Sequence, residues 1–144
     1  MKLNIRQARE SDLPACAEIM ITEFSKQGEP WTTDSAKTRL ADEIMGAPEL
    51  CFCLEFDEKL IGFMFCEKFN YVKGKYLWVA EFAISSEYQS KGHGLKALQF
   101  IEKYAKEKSF DVLYLATNIK EKAFKIYEKF GFRKTNWFFM EKEL

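Results

Sequence analysis

Leu3-Asn4-Ile5-Arg6 alternates apolar and polar residues, the period of two expected of a short strand. The pattern then lengthens to that of a helix. Leu13, Ala17, Met20, Ile21 and Phe24 recur at helical spacing, with Ser11 or Asp12 as the cap and Pro14 in the first turn. Gly28-Glu29-Pro30-Trp31 interrupts this helix. Thr32 or Thr33 opens a second, carrying Ala36, Leu40, Ile44 and Met45, which Gly46 and Pro48 close. Two apolar runs, Cys51 to Phe56 and Leu60 to Cys66, flank Asp57-Glu58-Lys59 and read as a hairpin. A tight turn there sets Phe52 opposite Phe65, Leu54 opposite Phe63 and Phe56 opposite Ile61, which makes one face of the hairpin wholly apolar.

Asn70 to Lys75 reads as a polar loop, and Leu77 to Ile84 as a buried strand broken by one charge, Glu81. On that strand residues 79, 81 and 83 are expected to share a face opposite Trp78, Phe82 and Ile84. Leu95, Leu98, Ile101, Tyr104 and Ala105 then mark an amphipathic helix. Val112 to Ala116 is a short continuous apolar run, as in a strand buried on both faces. Ala123, Phe124, Ile126, Tyr127 and Phe130 predict a further helix ending at Gly131, and Phe132 to Glu141 a final strand. The expected order is β-α-α-β-β-β-α-β-α-β: an α/β sandwich on a mixed sheet, with a strand–helix–strand crossover over residues 77–116.

The 144 residues fit a single domain, 1–144, with no repeat, linker or low-complexity stretch. Apolar residues at 47% and aromatics at 16% supply a core and exclude disorder. With 22 Lys+Arg against 22 Asp+Glu, nothing in the charge balance favours a nucleic-acid partner. No apolar run approaches the ~20 residues that cross a bilayer, so no membrane is expected as partner. The opening Met1-Lys2-Leu3-Asn4-Ile5-Arg6 lacks the apolar segment of a signal peptide, and a cytoplasmic location is expected. In that reducing setting the cysteines read as core residues rather than a disulfide, with Cys51 and Cys66 facing each other across the hairpin. Neither a C-x-x-C pair nor a histidine near them suggests a metal.

Chemistry concentrates at Gln89-Ser90-Lys91-Gly92-His93-Gly94-Leu95, between a buried strand and an amphipathic helix. Gly92 and Gly94 let backbone amides approach an anion, and a helix start adds unpaired N–H groups and a partial positive charge. By themselves two such glycines serve a tight turn equally well. The dinucleotide pattern G-x-G-x-x-G fails at Ala97, and no Gly-Lys-Ser/Thr of a triphosphate loop is present.

Gln89-x-x-Gly92-x-Gly94 matches the Q/R-x-x-G-x-G/A acetyl-CoA motif of GNAT-type N-acetyltransferases. Ala123-x-x-x-Tyr127-x-x-x-Gly131-Phe132 resembles that family's second hallmark, and Ile5-Arg6-Gln7-Ala8 with Asp12-Leu13-Pro14 its opening. The resemblance spans nearly the whole chain. It implies a GNAT-like, mostly antiparallel central sheet with helices on both faces and a splayed parallel strand pair, the strands ending near Ile84 and Ala116. It further implies that acetyl-CoA, as acetyl donor, pairs its pantetheine arm with Phe82, Ala83 and Ile84. Its pyrophosphate would meet the loop of Gln89 and Ser90, with amides from Lys91, Gly92, His93, Gly94 and Leu95. Lys91 either adds charge near the phosphates or is simply solvated. His93 reads as packed or exposed rather than catalytic.

Acetyl transfer needs an amine stripped of a proton, a donor for the oxyanion and a proton for the leaving thiolate. The resemblance puts Tyr127 in the general-acid position, against a plain packing role. Glu81 is the candidate base, directly or through water; the alternative is a carboxylate tied to a lysine or to backbone. The family's usual Asn before the second hallmark is replaced by Ile119 or Lys120, with Asn118 displaced from it. Trp31, Tyr71, Trp78 and Trp137 are candidate aromatic walls for the acceptor, and Glu23, Glu29 and Glu81 could draw a cation. The expected function is acetylation of the primary amine of a small molecule by direct attack, with no metal and with a homodimer allowed. Acetylation of a protein or peptide N-terminus or lysine, and non-catalytic acyl-CoA binding, are the alternatives.

Overall fold

A computed structural model describes residues 2–144; Met1, the first residue of the segment read for targeting, lies outside the described residues. Strand β1 (Leu3–Gln7) leads through a short turn into helices α1 (Leu13–Ser25) and α2 (Thr33–Gly46). Strands β2 (Cys51–Phe56), β3 (Lys59–Tyr71) and β4 (Gly74–Ile84) follow, then α3 (His93–Glu107), β5 (Val112–Leu115) and α4 (Lys122–Phe130). Thr32 caps α2 by accepting a hydrogen bond from the Ser35 amide at 3.0 Å. The sheet runs β1-β2-β3-β4-β5, antiparallel except for the parallel pair β4/β5.

Helices cover both faces. Phe52, Leu54, Met64, Leu77 and Val79 meet Leu98 and Ile101 of α3 on one side, where Tyr127 and Phe130 of α4 also pack. Cys53, Phe63 and Phe65 meet Met20 and Phe24 of α1 and Leu40 of α2 on the other. This double coverage corrects the expectation of one apolar face on the β2/β3 hairpin, because central strands between two helical layers bury both sides.

The register of that hairpin also differs from the one expected. Asp57 and Glu58, both at positive φ (54° and 63°), form a two-residue turn that pairs Phe56 with Lys59. A bulge then absorbs Ile61, so Leu54 faces Gly62 and Phe52 faces Met64. Cys51 faces Phe65 and lies in the α1/α2 layer, whereas Cys66 lies in the α3 layer, so those two thiols do not face each other. All four cysteines are free and buried; the near pair is Cys16 and Cys53, Sγ to Sγ 3.8 Å.

Two loop and strand readings are corrected. Residues 70–75 are not a loop: β3 and β4 pair to Tyr71–Gly74 around a two-residue turn. Conversely, no strand forms over 132–141. Four consecutive large apolar residues, Trp137 to Met140, lack the alternation that presents one face to a core, and they remain exposed. No helix among the described residues is long and apolar enough to cross a membrane.

Candidate active site

The parallel pairing of β4 with β5 stops at Val79–Leu115, while β4 continues against β3 as far as Ile84–Gly62. From Ala80 onward, β4 therefore has no strand neighbour on its β5 side. A bulge at Ala80, between the pairs Val79–Cys66 and Glu81–Phe65, also reverses the direction of the side chains beyond it. Val79, Phe82 and Ile84 all face the α3 layer, while Ala83 joins the α1/α2 layer and Glu81 reaches Arg39 of α2. The strict alternation expected for 79, 81 and 83 is thereby corrected, and the bulge is its physical cause.

Where the strands part there is a cleft of about 380 Å³. Val79 to Phe82 form one wall and Leu115 to Asn118 the other. Tyr127 of α4 closes one side, and Phe24, Gln27, Glu29 and Trp31 close the opposite one. Burial alone pushes the Tyr127 hydroxyl up to about 12, so it stays protonated at neutral pH. Glu81 is pushed up by burial against the opposing pull of Arg39, whose Nε donates to Glu81 Oε1 at 3.1 Å. The expected lysine or backbone partner of Glu81 is thus an arginine from another element.

Arg39 also binds Glu67 at 3.1 Å and touches Glu43 at 2.5 Å. Three carboxylates share one guanidinium. Both Glu43 oxygens are buried; Arg39 Nη2 approaches Oε1 without the alignment of a hydrogen bond, and Glu67 faces the same carboxyl group. Burial first, then the neighbouring Glu67 side chain, pushes Glu43 up to about 8. Only the four-residue spacing of Arg39 and Glu43 hinted at this cluster, since Glu67 and Glu81 come from distant strands.

The loop after β4 is held from below. Glu23, buried on α1, accepts hydrogen bonds from the Ser86 amide (3.0 Å), the Ser86 hydroxyl (2.8 Å) and Gln89 Nε2 (3.2 Å). Gln89 Nε2 also donates to the Ile84 carbonyl at 2.6 Å. Gln89 and Glu23 therefore shape the loop from within. Ser90 (φ 61°) and Gly92 (φ 86°) turn the chain into α3, whose N-terminus has no side-chain cap. The first amide of the turn with a helical acceptor is that of Lys96, bonded to Gly92 O at 3.2 Å, which leaves the amides of His93, Gly94 and Leu95 for another partner. A Cβ on Gly94 would meet only Ile84 Cδ1, at 3.8 Å, so the space in front of that amide is open.

His93 is 6% exposed with its ring 4.9 Å from that of Phe56, and burial lowers its pKa. Its side chain packs against Phe56. Lys91 lies over the Tyr88 ring at 5.6 Å. The aromatic candidates separate. Trp31 lines the cleft and donates to Glu29 Oε1 at 3.2 Å. Tyr71 sits at the far end of the β3/β4 hairpin against Phe69 and Tyr76, and Trp78 packs on Phe69 and Phe139; neither lines the cleft. Trp137 belongs to the tail. Asn118 Oδ1 accepts from the Lys120 amide at 2.9 Å and closes the turn before α4.

Residues 13–132 match the model of the acetyltransferase (GNAT) family. The chain belongs to that family. Membership makes it an N-acetyltransferase, and solved structures reproduce its fold over nearly all its length. A possible acetyltransferase from Clostridium difficile 630 aligns with TM-score 0.83 and 16% identity, covering 100% of this chain and 99% of that one. A ribosomal-protein-alanine N-acetyltransferase from Brucella melitensis biovar Abortus 2308 aligns at 0.76 and 18%, covering 99% of each chain. The aminoglycoside N-acetyltransferase AAC(6')-Iy in complex with CoA aligns at 0.78 and 16%, covering 99% and 95%. No curated protein matches this sequence.

Proposed function

We propose that this chain moves an acetyl group from acetyl-CoA to the primary amine of a small molecule. The observation that carries this reading is the free β4 edge beyond Ala80, which leads directly to the uncapped start of α3. The pantetheine amides would pair with the open backbone at Phe82 to Ile84. The pyrophosphate would take the amides of Lys91 to Leu95, close to the Cβ-free face of Gly94. An aminoglycoside-acetylating structural neighbour holding CoA supports the same donor. The cytosol, where thiols stay reduced, suits the four free cysteines.

In the cleft the acceptor nitrogen attacks the thioester carbon, forming a C–N bond. A free amide of the splayed strand steadies the oxyanion. As the C–S bond breaks, the Tyr127 hydroxyl donates its proton to the leaving sulfur. Glu81, directly or through water, takes the proton shed by the nitrogen. Arg39 holds this carboxylate in place from behind, and burial raises the carboxylate's affinity for protons, the direction a general base needs. Trp31 and Glu29 lie across the opening, where an apolar ring and a carboxylate suit an ammonium-bearing acceptor.

Release of CoA from acetyl-CoA across polyamines, aminoglycosides, amino acids and short peptides tests the proposal. Turnover with a small amine supports it, and turnover confined to peptides overturns the acceptor class. Silence across the panel, with acetyl-CoA still raising the melting temperature, overturns the catalytic reading in favour of acyl-CoA binding. Glu81→Gln is expected to remove the acid limb of the pH–rate profile; an unaltered limb takes Glu81 out of the mechanism.

A further inference from the structure

Glu81 stands between two environments. It lines the cleft, while Arg39, Glu43 and Glu67 form a cluster behind it, off the cleft wall. Its Oε1 accepts from Arg39 Nε, and among the described residues its Oε2 has no hydrogen-bond partner. The Glu81 side chain keeps 13% of its surface open, against 1% for Glu43. One carboxylate of the cluster is thus open to an entering ligand and another is sealed.

The sealed one lacks what a buried carboxylate requires. Ionised, Glu43 needs hydrogen-bond donors, and neither of its oxygens has one. Arg39 Nη2 lies 2.5 Å from Glu43 Oε1 but donates to Glu67 Oε2 at 3.1 Å. The charges account for this. One guanidinium cannot neutralise Glu43, Glu67 and Glu81 together, so a proton stands in for a second cation, and burial favours it on Glu43. The other groups nearby do not supply that cation. The thiols of Cys51 on β2 and Cys66 on β3 are kept protonated by burial, and Glu29, before α2, adds negative charge beside Glu81.

A primary amine, with a pKa near 10, reaches the cleft at neutral pH as an ammonium ion. Seated on Glu81, it is the missing second cation. We infer that an ammonium-bearing acceptor enters by exchange: it takes the open oxygen of Glu81, Arg39 turns Nη2 onto Glu43, and Glu43 gives up its proton to water. The net charge of the cluster is the same before and after, so the cation enters a half-buried site without leaving a charge uncompensated. Arg39, with its side chain 33% exposed, has room for this small turn. Glu67, at 37%, faces both the Glu43 carboxyl group and solvent and gives the proton its way out. The inference rests on Glu81 meeting the acceptor. It adds that the site selects charge, since a neutral ligand of the same shape leaves the proton on Glu43. Glu43 is then a positioning residue that acts through Arg39.

Carbon-13 NMR of the chain labelled at its glutamate carboxyl carbons, titrated from pH 5 to 9 with and without ethylammonium, tests this. Tetramethylammonium at equal concentration, which has no N–H to donate, controls for screening. The signal missing from Glu43→Gln identifies Glu43. Ethylammonium is expected to weaken proton binding at Glu43 by at least about tenfold, as a unit charge a few ångströms away does in a half-buried site. Tetramethylammonium is expected to leave it unchanged, and Glu81→Gln to abolish the response. A Glu43 titration that ethylammonium does not move overturns the inference. So does a response that persists in Glu81→Gln, because the cation then binds elsewhere. Proton release on mixing the unmodified chain with ethylammonium at pH 7, followed with an indicator dye in weak buffer, needs no variant: release supports the exchange and its absence refutes it. A Glu43 that responds while no amine releases CoA from acetyl-CoA supports the exchange and sinks the catalytic reading instead.

Discussion

Replacing Glu43 with Gln should change how stability depends on pH. Glu43 is 3% exposed, and burial carries it from its ordinary 4.5 to about 8. The folded chain therefore favours protonated Glu43, while the unfolded chain releases that proton near 4.5. Between these values the native state binds more protons than the unfolded state, so stability falls as pH rises. The contribution is complete below the unfolded value and gone above the folded one. A tenfold change in a protonation equilibrium is worth about 1.4 kcal/mol, which caps the span at ~5 kcal/mol. Arg39, with its side chain 33% exposed, can shift to relieve part of this, leaving about 2–4 kcal/mol. Gln keeps the shape, cannot ionise and can donate to Glu67.

Urea unfolding at intervals from pH 5 to 9 provides the assay, with the difference between unmodified and variant protein as the quantity of interest. Other groups largely cancel in that difference. His93, lowered by burial, acts with the opposite sign below its ordinary 6.5, and Asp12, held at about 2 by Arg6, acts only in more acid solution. Glu81 acts with the same sign as Glu43 but remains in both proteins. The variant should gain on the unmodified chain steadily towards pH 8. Parallel stability profiles for the two proteins would refute the assignment of a proton to Glu43.

Tyr127→Phe should lower kcat by about 100-fold or more while acetyl-CoA binding by calorimetry stays unchanged; equal turnover would remove Tyr127 as the acid. Gly94→Ala separates folding from donor binding, because its Cβ would meet nothing closer than 3.8 Å within the protein. The melting temperature should hold while acetyl-CoA affinity drops, and undiminished affinity would place the pyrophosphate elsewhere. Gly62→Ala should destabilise by about 1–3 kcal/mol in urea, since the added Cβ would lie 2.6 Å from the Ala83 carbonyl oxygen across the β3/β4 pair. A neutral result would mean that the two strands separate there without cost.

The sequence alone determined much of the local structure. Helical spacing in residues 13–24 and 95–105 marks real helices, and the glycines at 92 and 94 mark a true strand-to-helix turn with free amides. Such features depend on neighbours a few residues apart, so their periods and caps are visible in order of sequence. The motifs at 89–94 and 123–132 carried the family for the same reason. Register was decided in three dimensions. The Ile61 and Ala80 bulges each insert one residue and redirect those beyond, and no local preference announces them. Glu81 was legible as the odd charge in an apolar strand, but its partner Arg39 lies 42 residues away on α2. The same holds for Glu23, whose hold on the loop after β4 spans 63 residues to Ser86. The tail from Phe132 onward reads as a strand by composition, yet a strand exists only when another strand offers its edge, and that pairing is a property of the folded molecule.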